Sequence, residues 1–445
     1  MVLECGAAKI NIKPPTNIGD LYIAGYMAME APKIKGVHDP IFCRAIILND
    51  GKQKIALVSV ECIGLLADFI DVVKKRLEAY GFEKHQIFIF STHTHAAPDT
   101  MGLWGPLIGI SGINKKYMNF LSDSIEKAVI EASGNLKAVE LFLSQTKVEG
   151  LIENYRDARD VNPKLKILKF LSNGQIIASL WTYSAQPEIT DRENVSISGD
   201  YPGLVSDMIE KEYGGVSAFA LGLCGAQSPI YCEAGHEKME EFAIRIFSAI
   251  KDVFPEGKKI ETTPLELRER KIKLKIENED FLLLFQLGIF TRDLDENRAY
   301  TTLSKVRIGN LHLIHIPGEP FPALFSKIIN DHPGKELMFI SQSNDSVGYF
   351  IPLDQFKLKT KQFIDEKNQE KFIGHELESL GWEAAEIIRK SVKDILKYRT
   401  VMAIGAHADD LTIWSGGTLR KLTSEGNKLI CVRVTDDYGD ATGIS

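Results

Sequence analysis

Strand-length apolar runs, each cut off by a cluster of polar residues, constrain this chain more than any other feature. Ile87-Phe88-Ile89-Phe90 has the β-branched and aromatic composition of a buried strand. It is followed at once by Ser91-Thr92-His93-Thr94-His95 and the loop formers Ala96-Ala97-Pro98-Asp99. The arrangement recurs where Trp181 to Tyr183 gives way to Ala185-Gln186-Pro187. It recurs again where the run ending at Ile316 meets Pro317-Gly318-Glu319, and where the run ending at Ser341 meets Asn344 to Tyr349. Strand ends are where α/β sheets place ligand sites. Two histidines spaced i, i+2 past such an end can point one way if the backbone bends, and imidazole is the commonest metal ligand among side chains. A bare His-x-His is equally the pattern of loop histidines bonded to backbone.

Between these runs, hairpins alternate with helices. Cys43 to Leu48 and Lys54 to Glu61 flank the turn signal Asn49-Asp50-Gly51, and Lys164 to Phe170 and Gln175 to Tyr183 flank Asn173-Gly174. Helical periodicity runs through Asp68 to Tyr80, Lys115 to Ser133, Tyr201 to Tyr213, His236 to Val253, Glu319 to Asn330 and Glu376 to Leu396. Thr262 to Leu287 alternates charged and apolar residues like a half-exposed strand, and no internal repeat is visible. The expected fold class is α/β: a large mixed-sheet domain with helices packed on the sheets.

With 44% hydrophobic and 25% charged residues over 445 positions, the chain has ordinary globular composition. A net charge of −7 argues against a nucleic-acid partner. The start, MVLECGAAKINIKPP, lacks a basic segment followed by an apolar one, so a cytoplasmic location is expected. No apolar run reaches the ~18–20 residues of a membrane span; Phe281 to Ile289 is strand-sized. The six cysteines are scattered without a CxxC pair. Cys224 and Cys232 could pair, but buried thiols are the better expectation.

A domain boundary is expected near Tyr398, separating residues 1–397 from 398–445. Beyond it a strand from Thr400 to Gly405, a helix opened by Gly416-Gly417 and a strand from Lys428 to Val434 make one βαβ unit. One such unit buries too little apolar surface to stand alone, so an incomplete Rossmann-like domain is expected there.

Taken together, GAAKINIKPP at Gly6, AGY at Ala24, GVHDPIFCRA at Gly36, STHTHAAPDTMGLWGP at Ser91, ENYR at Glu153, ISGDYPG at Ile197, PGE at Pro317 and NDSVGY at Asn344 form an ordered series. That series resembles the N-terminal catalytic domain of the neutral/alkaline non-lysosomal ceramidases. The resemblance implies one zinc held by two histidines, a glutamate and a tyrosine, with room for a water. His93, Glu319 and Tyr349 match three of these ligands. His95 and Arg156 match pocket residues, and Ser228 falls near the serine of the family's GDVSP segment. Two departures stand out. Gln186 occupies the second histidine's place, and a neutral amide is a poorer zinc ligand than imidazole. The GDVSP segment reads CGAQSP here, without its aspartate.

The tail, AIGAHADDLTIWSGGTLRKL, resembles the start of the PIG-L/LmbE-like zinc deacetylases, which act on N-acetylglucosamine derivatives. By that resemblance His407 and Asp410 are metal ligands and Asp409 the general base; Ala408 stands where the family has proline. The family's distal histidine ligand is not present, so a second zinc requires a completed domain. Together the two resemblances imply a zinc-dependent amide hydrolase acting on an N-acyl lipid or N-acyl amino-sugar compound. The alternative is a catalytically weakened ceramidase-like domain that serves as a binding or scaffold module for a sugar deacetylase. Metal content separates the two.

Overall fold

The computed structural model describes residues 2–26, 29–356, 375–397, 400–407, 409–424 and 428–435. Its frame is three mixed sheets. In the first, β1 (Glu4–Asn11), β2 (Phe42–Asn49) and β3 (Lys54–Val60) run antiparallel, and β4 (Ile87–Ser91) joins β3 in parallel after helix α1 (Ala67–Leu77). The sheet order is β4-β3-β2-β1, with Lys137–Ala138 at the far edge. Helix α2 (Lys115–Ser133) lies over it, started by Asn114, whose side chain accepts from the N–H groups of Lys116 and Tyr117.

The second sheet repeats the plan. β5 (Glu140–Lys147), β6 (Lys164–Ser172) and β7 (Gln175–Tyr183) are antiparallel, and β8 (Val216–Leu221) joins β7 in parallel after helix α3 (Asp200–Tyr213). Helix α4 (His236–Val253) follows. The third does so again: β9 (Leu265–Lys275), β10 (Arg298–Ile308) and β11 (Leu311–His315) are antiparallel, and β12 (Glu336–Ile340) is parallel to β11. Helix α5 (Glu279–Gln286) falls between β9 and β10 in sequence, and α6 (Trp382–Ile395) follows β12.

Period-2 alternation decides which side chains meet. Ile46 and Leu48 of β2, Leu168 and Phe170 of β6 and Leu311 and Leu313 of β11 share one core between the three sheets. The opposite faces bury Ala45 and Ile47 under α1 and α2, Trp181 and Phe219 under α3 and α4, and Ile272 and Ile314 under α6. The topology is thus a threefold repeat that sequence self-similarity does not reveal.

Three expected elements differ. Thr262 to Leu287 is not one strand: β9 ends at Lys275, and Asn278 caps α5 by accepting from the N–H groups of Asp280 and Phe281. The apolar run 281–285 is helical and packs its partly buried side chains on two cores. Glu319 to Asn330 is not one helix: Pro320 lies in a two-residue strand Glu319–Pro320, Pro322 opens a short 3-10 turn Pro322–Leu324, and an α-helix forms only at Ser326–Asn330. The helix expected from Glu376 begins at Trp382.

All six cysteines are free. Among the described residues no helix is long and apolar enough to cross a membrane. In the tail, β13 (Thr400–Gly405) and β14 (Lys428–Arg433) pair in parallel, with α7 (Gly416–Ser424) between them in sequence.

Candidate active site

Each sheet delivers residues to one place from the C-terminal ends of its parallel pair. His93 and His95 follow β4, Gln186 and Glu188 follow β7, Ser228 follows β8, Glu319 follows β11, and Gln342 and Tyr349 follow β12. Backbone bonds stitch the ends together. Ser91 N–H donates to Gln342 O (3.2 Å) and Ser341 N–H to Leu221 O (2.8 Å). A short parallel bridge sets Glu319 opposite Tyr349.

Four of the expected ligand residues converge here, and all are buried. His93 Nδ1 bonds to Ile63 O at 2.6 Å, so the ring carries its proton there and turns the Nε2 lone pair toward Glu319 Oε2, 3.3 Å away. A lone pair facing a carboxylate at that distance calls for a cation between them or a proton on the nitrogen. Burial, the largest single influence, opposes charge on His93, but the Glu319 carboxylate, the Ile63 carbonyl and Glu188 together raise the imidazole above its usual value.

Gln186, at the place of the expected second histidine, turns its amide nitrogen toward the cluster. Its Nε2 donates to Glu319 Oε2 (2.7 Å) and to the Tyr349 hydroxyl (2.9 Å), because a carboxylate draws the N–H face of an amide. Gln342 Nε2 donates to the other carboxylate oxygen at 2.9 Å. His93, Glu319 and Tyr349 therefore fit a divalent cation. Gln186 fits only after turning its amide, so the hold is weaker than that of two imidazoles.

The surrounding walls hold ionisable groups. His95 packs edge-on against His93 and Tyr26, with ring centroids 5.1 and 4.9 Å away. Burial, and then His93, push it well below the usual imidazole range. Glu188 is half-buried. Burial raises its carboxyl to about 7 against a hydrogen bond from Ser228 and the attraction of His93. Half-buried Glu378 is pushed up to about 8 by burial and then by Glu319. His375, 4.6 Å from the Tyr349 ring, is held down to about 4 by burial and then by Arg156.

Arg156, expected as a pocket residue, lies in the wall of the recess as half of an ion pair. Its guanidinium bonds Glu376 in two places (2.9 and 2.5 Å) and the Gln355 carbonyl (2.5 Å), so it is neutralised within the wall. His315 belongs to β11 and bonds Ser343 through Nδ1 (2.9 Å), away from the ligand set. Glu188, Gln342, His375 and Glu378 were not legible as site residues. Glu188 alone had a signal, an acid two places past Gln186 beyond a strand end. A cavity of about 970 Å³ between β5, β6 and the end of α4 shares no residue with the cluster.

In the tail, His407, Asp409 and Asp410 bring ligand atoms within 4.8 Å of one another on an exposed turn. His407 N–H donates to Asp410 Oδ2 at 2.9 Å. Ala408 lies outside the described residues.

Comparison with known proteins bears on the main body. The family profile "Neutral/alkaline non-lysosomal ceramidase, N-terminal" matches residues 5–243. Neutral ceramidase 1 of Arabidopsis thaliana is 24% identical over 215 residues, 44% of this chain and 27% of that protein. A neutral ceramidase of Oryza sativa subsp. japonica is 23% identical over 226 residues, 46% of this chain and 28% of that protein. The chain thus spans little more than a quarter of these relatives' length. The crystal structure of neutral ceramidase from Pseudomonas aeruginosa shares the fold, with a TM-score of 0.71 at 16% identity over 88% of this chain and 73% of that one. A ceramidase complexed with C2 superposes with a TM-score of 0.69 at 14% identity, covering 88% of this chain and 74% of that one.

Proposed function

The chain belongs to the neutral/alkaline non-lysosomal ceramidase family, and from that premise we propose that it hydrolyses the amide bond of an N-acyl lipid or N-acyl amino-sugar compound in the recess around His93 and Glu319. The observation that carries this reading is the convergence of His93, Glu319, Tyr349 and Gln186 from four separate segments. Family kinship points to zinc. When bound, a divalent cation there lowers the pKa of a water and polarises the amide carbonyl.

The chain's own residues supply the rest. Ile63 O fixes the His93 tautomer, and Gln342 holds one Glu319 oxygen so that the other faces the recess. The Tyr349 hydroxyl stands beside the same carboxylate through Gln186. His95, neutral and without a hydrogen-bond partner on either nitrogen, is available to donate to the oxyanion or to serve the leaving nitrogen. The fusion to a deacetylase-like segment is a further proposal, resting on the exposed triad of His407, Asp409 and Asp410.

One observation favours the second reading, a binding module. The Gln186 amide already satisfies Glu319 and Tyr349, as a cation would. Metal analysis of the purified chain, together with amine release from N-acyl sphingoid and N-acyl amino-sugar substrates, tests both. The hydrolase reading expects bound divalent metal, and amine release that falls by roughly 10²–10³-fold in Glu319→Gln. If only Gln186→His binds metal and wild type releases no amine, the binding module stands instead.

A further inference from the structure

Outside the recess, the inner face of the second sheet changes character along its length. Leu168 and Phe170 of β6 face the core shared by the three sheets. Side chains alternate along a strand, so Lys166 and Lys164 continue that same face toward the start of β6. Pairing register sets Lys166 between Gln145 of β5 and Thr182 of β7. Ser184, just past β7, and the start of β12 close the space into a cavity of about 220 Å³. None of His93, Gln186, Glu319 and Tyr349 lines it.

The cavity is short of negative charge. Among the described residues its one carboxylate is that of Glu336. That group takes the Lys258 ammonium at 3.0 Å on one oxygen and stands 3.9 Å from Lys166 on the other. Lys164 has no ion pair among the described residues. Lys335 and His332, in the facing wall, bond the carbonyl oxygens of Leu396 and Ile328, both at 2.8 Å, and bring no negative charge. Burial draws the Lys166 ammonium below its usual range, against the pull of Glu336 and with the push of Lys164. Uncharged donors stand beside the lysines. The Thr182 hydroxyl, on a residue 6% exposed, makes no hydrogen bond among the described residues, although buried polar groups are nearly always paired. The Ser184 hydroxyl accepts from Asn162 Nδ2 at 2.8 Å and keeps its own proton to give.

We propose that this cavity is a binding site for a compact tetrahedral oxyanion of the phosphate type, free or carried at the end of a small organic molecule. The assignment is independent of the hydrolase reading. Lys164 and Lys166 supply the charge, while the hydroxyls of Thr182 and Ser184 and the amide of Gln145 approach from the neighbouring strands. These are more directions than a flat carboxylate can accept from, and charge-assisted bonds to an oxyanion are the strong ones. An anion seated there neutralises two lysines at the point where the apolar core between the sheets begins.

Calorimetric titration of the whole chain near neutral pH with sodium phosphate and with sodium acetate, at matched ionic strength, tests the site. Phosphate is expected to bind at least about tenfold tighter than acetate, and Lys164→Gln and Lys166→Gln each to weaken it by about tenfold. Lys127→Gln, at an exposed position of α2, is expected to leave it unchanged. Lys164 is itself exposed, so its variant gives the answer whether or not Lys166→Gln folds. Acetate binding as tight as phosphate overturns the site, as does wild-type phosphate affinity in Lys164→Gln. A loss in Lys127→Gln equal to that in Lys164→Gln marks general charge attraction and overturns it too. Loss of phosphate binding on chelation places the anion on a metal in the recess, and the proposal falls. Glycerol phosphate separates the two sources: binding at least as tight as phosphate assigns the site to small monoesters, and its exclusion assigns the site to the free ion.

Discussion

At the scale of single residues, His93 holds its place through a backbone that few side chains adopt. Its φ is +71°, a left-handed conformation that costs most residues about 1 kcal/mol or more and that asparagine tolerates well. Its N–H donates to Cys62 O at 2.9 Å, so the bend is fixed by the end of β3. His93→Asn is therefore expected to unfold within about 1 kcal/mol of wild type, while metal content and amine release collapse. A denaturant titration beside a metal assay reads both. Gly25 makes a companion case: its φ is +124°, and an added Cβ would lie 2.4 Å from His95 Cγ. Gly25→Ala should cost about 2 kcal/mol. His95→Ala in the same chain should return the steric share and leave the backbone share. His93, Glu319 and Tyr349 were legible because motif and strand end coincide there. Glu378 and Gln342 were not, since a lone acid or amide in a loop has no spacing to mark it, and only the fold brings it to the site.

At the scale of elements, the readable ones have a period uninterrupted by proline. α2 and α4 appear with the expected limits because apolar positions such as Leu121, Ile125 and Ala128 fall on one face and Asn114 marks a start. The stretch after Ile316 misleads for the opposite reason, since its helical pattern is overridden by Pro320 and Pro322. α5 shows how a cap reaches the site. Asn278 Nδ2 donates to Leu377 O (2.6 Å) and Ser379 O (2.9 Å), and Ser379 Oγ donates to Tyr349 O (2.9 Å). Asn278→Ala should cost about 1–2 kcal/mol and slow amine release while metal content persists. On α1, Lys74 is only 6% exposed, and burial brings its ammonium down to about 8 from 10.5. Its folded pKa lies below its unfolded one, so the native state bears a penalty at neutral pH that fades as pH rises from about 8 to 10.5. Lys74→Met is expected to raise stability by about 1–2 kcal/mol at neutral pH and to lose that advantage near pH 10, in thermal melts run across that range.

At the scale of the molecule, three copies of one plan, three antiparallel strands and a parallel fourth, turn their parallel ends toward a common centre. No single unit contains the site, so its geometry depends on how the units are clamped. Between the first and second units the clamp is ionic. Arg44 of β2, 2% exposed, bonds Glu61 just past β3 and reaches Asp207 (2.6 Å) and Glu210 (3.0 Å) on α3. Glu61 also accepts from Phe42 N–H at 2.7 Å and packs on Gly199 and Gly203 at the start of α3. Ile63, whose carbonyl orients His93, lies two residues farther on. A buried charge left without its partner costs about 3–5 kcal/mol, whereas removing both charges is often close to neutral. Arg44→Met should therefore destabilise by that amount and disturb His93. Arg44→Met with Glu61→Gln should recover most of the stability in a denaturant titration. If amine release returns together with stability, the ion pair acts by holding the two units in register. If stability returns without activity, the charges themselves set the end of β3, and the site depends on this clamp for more than its packing.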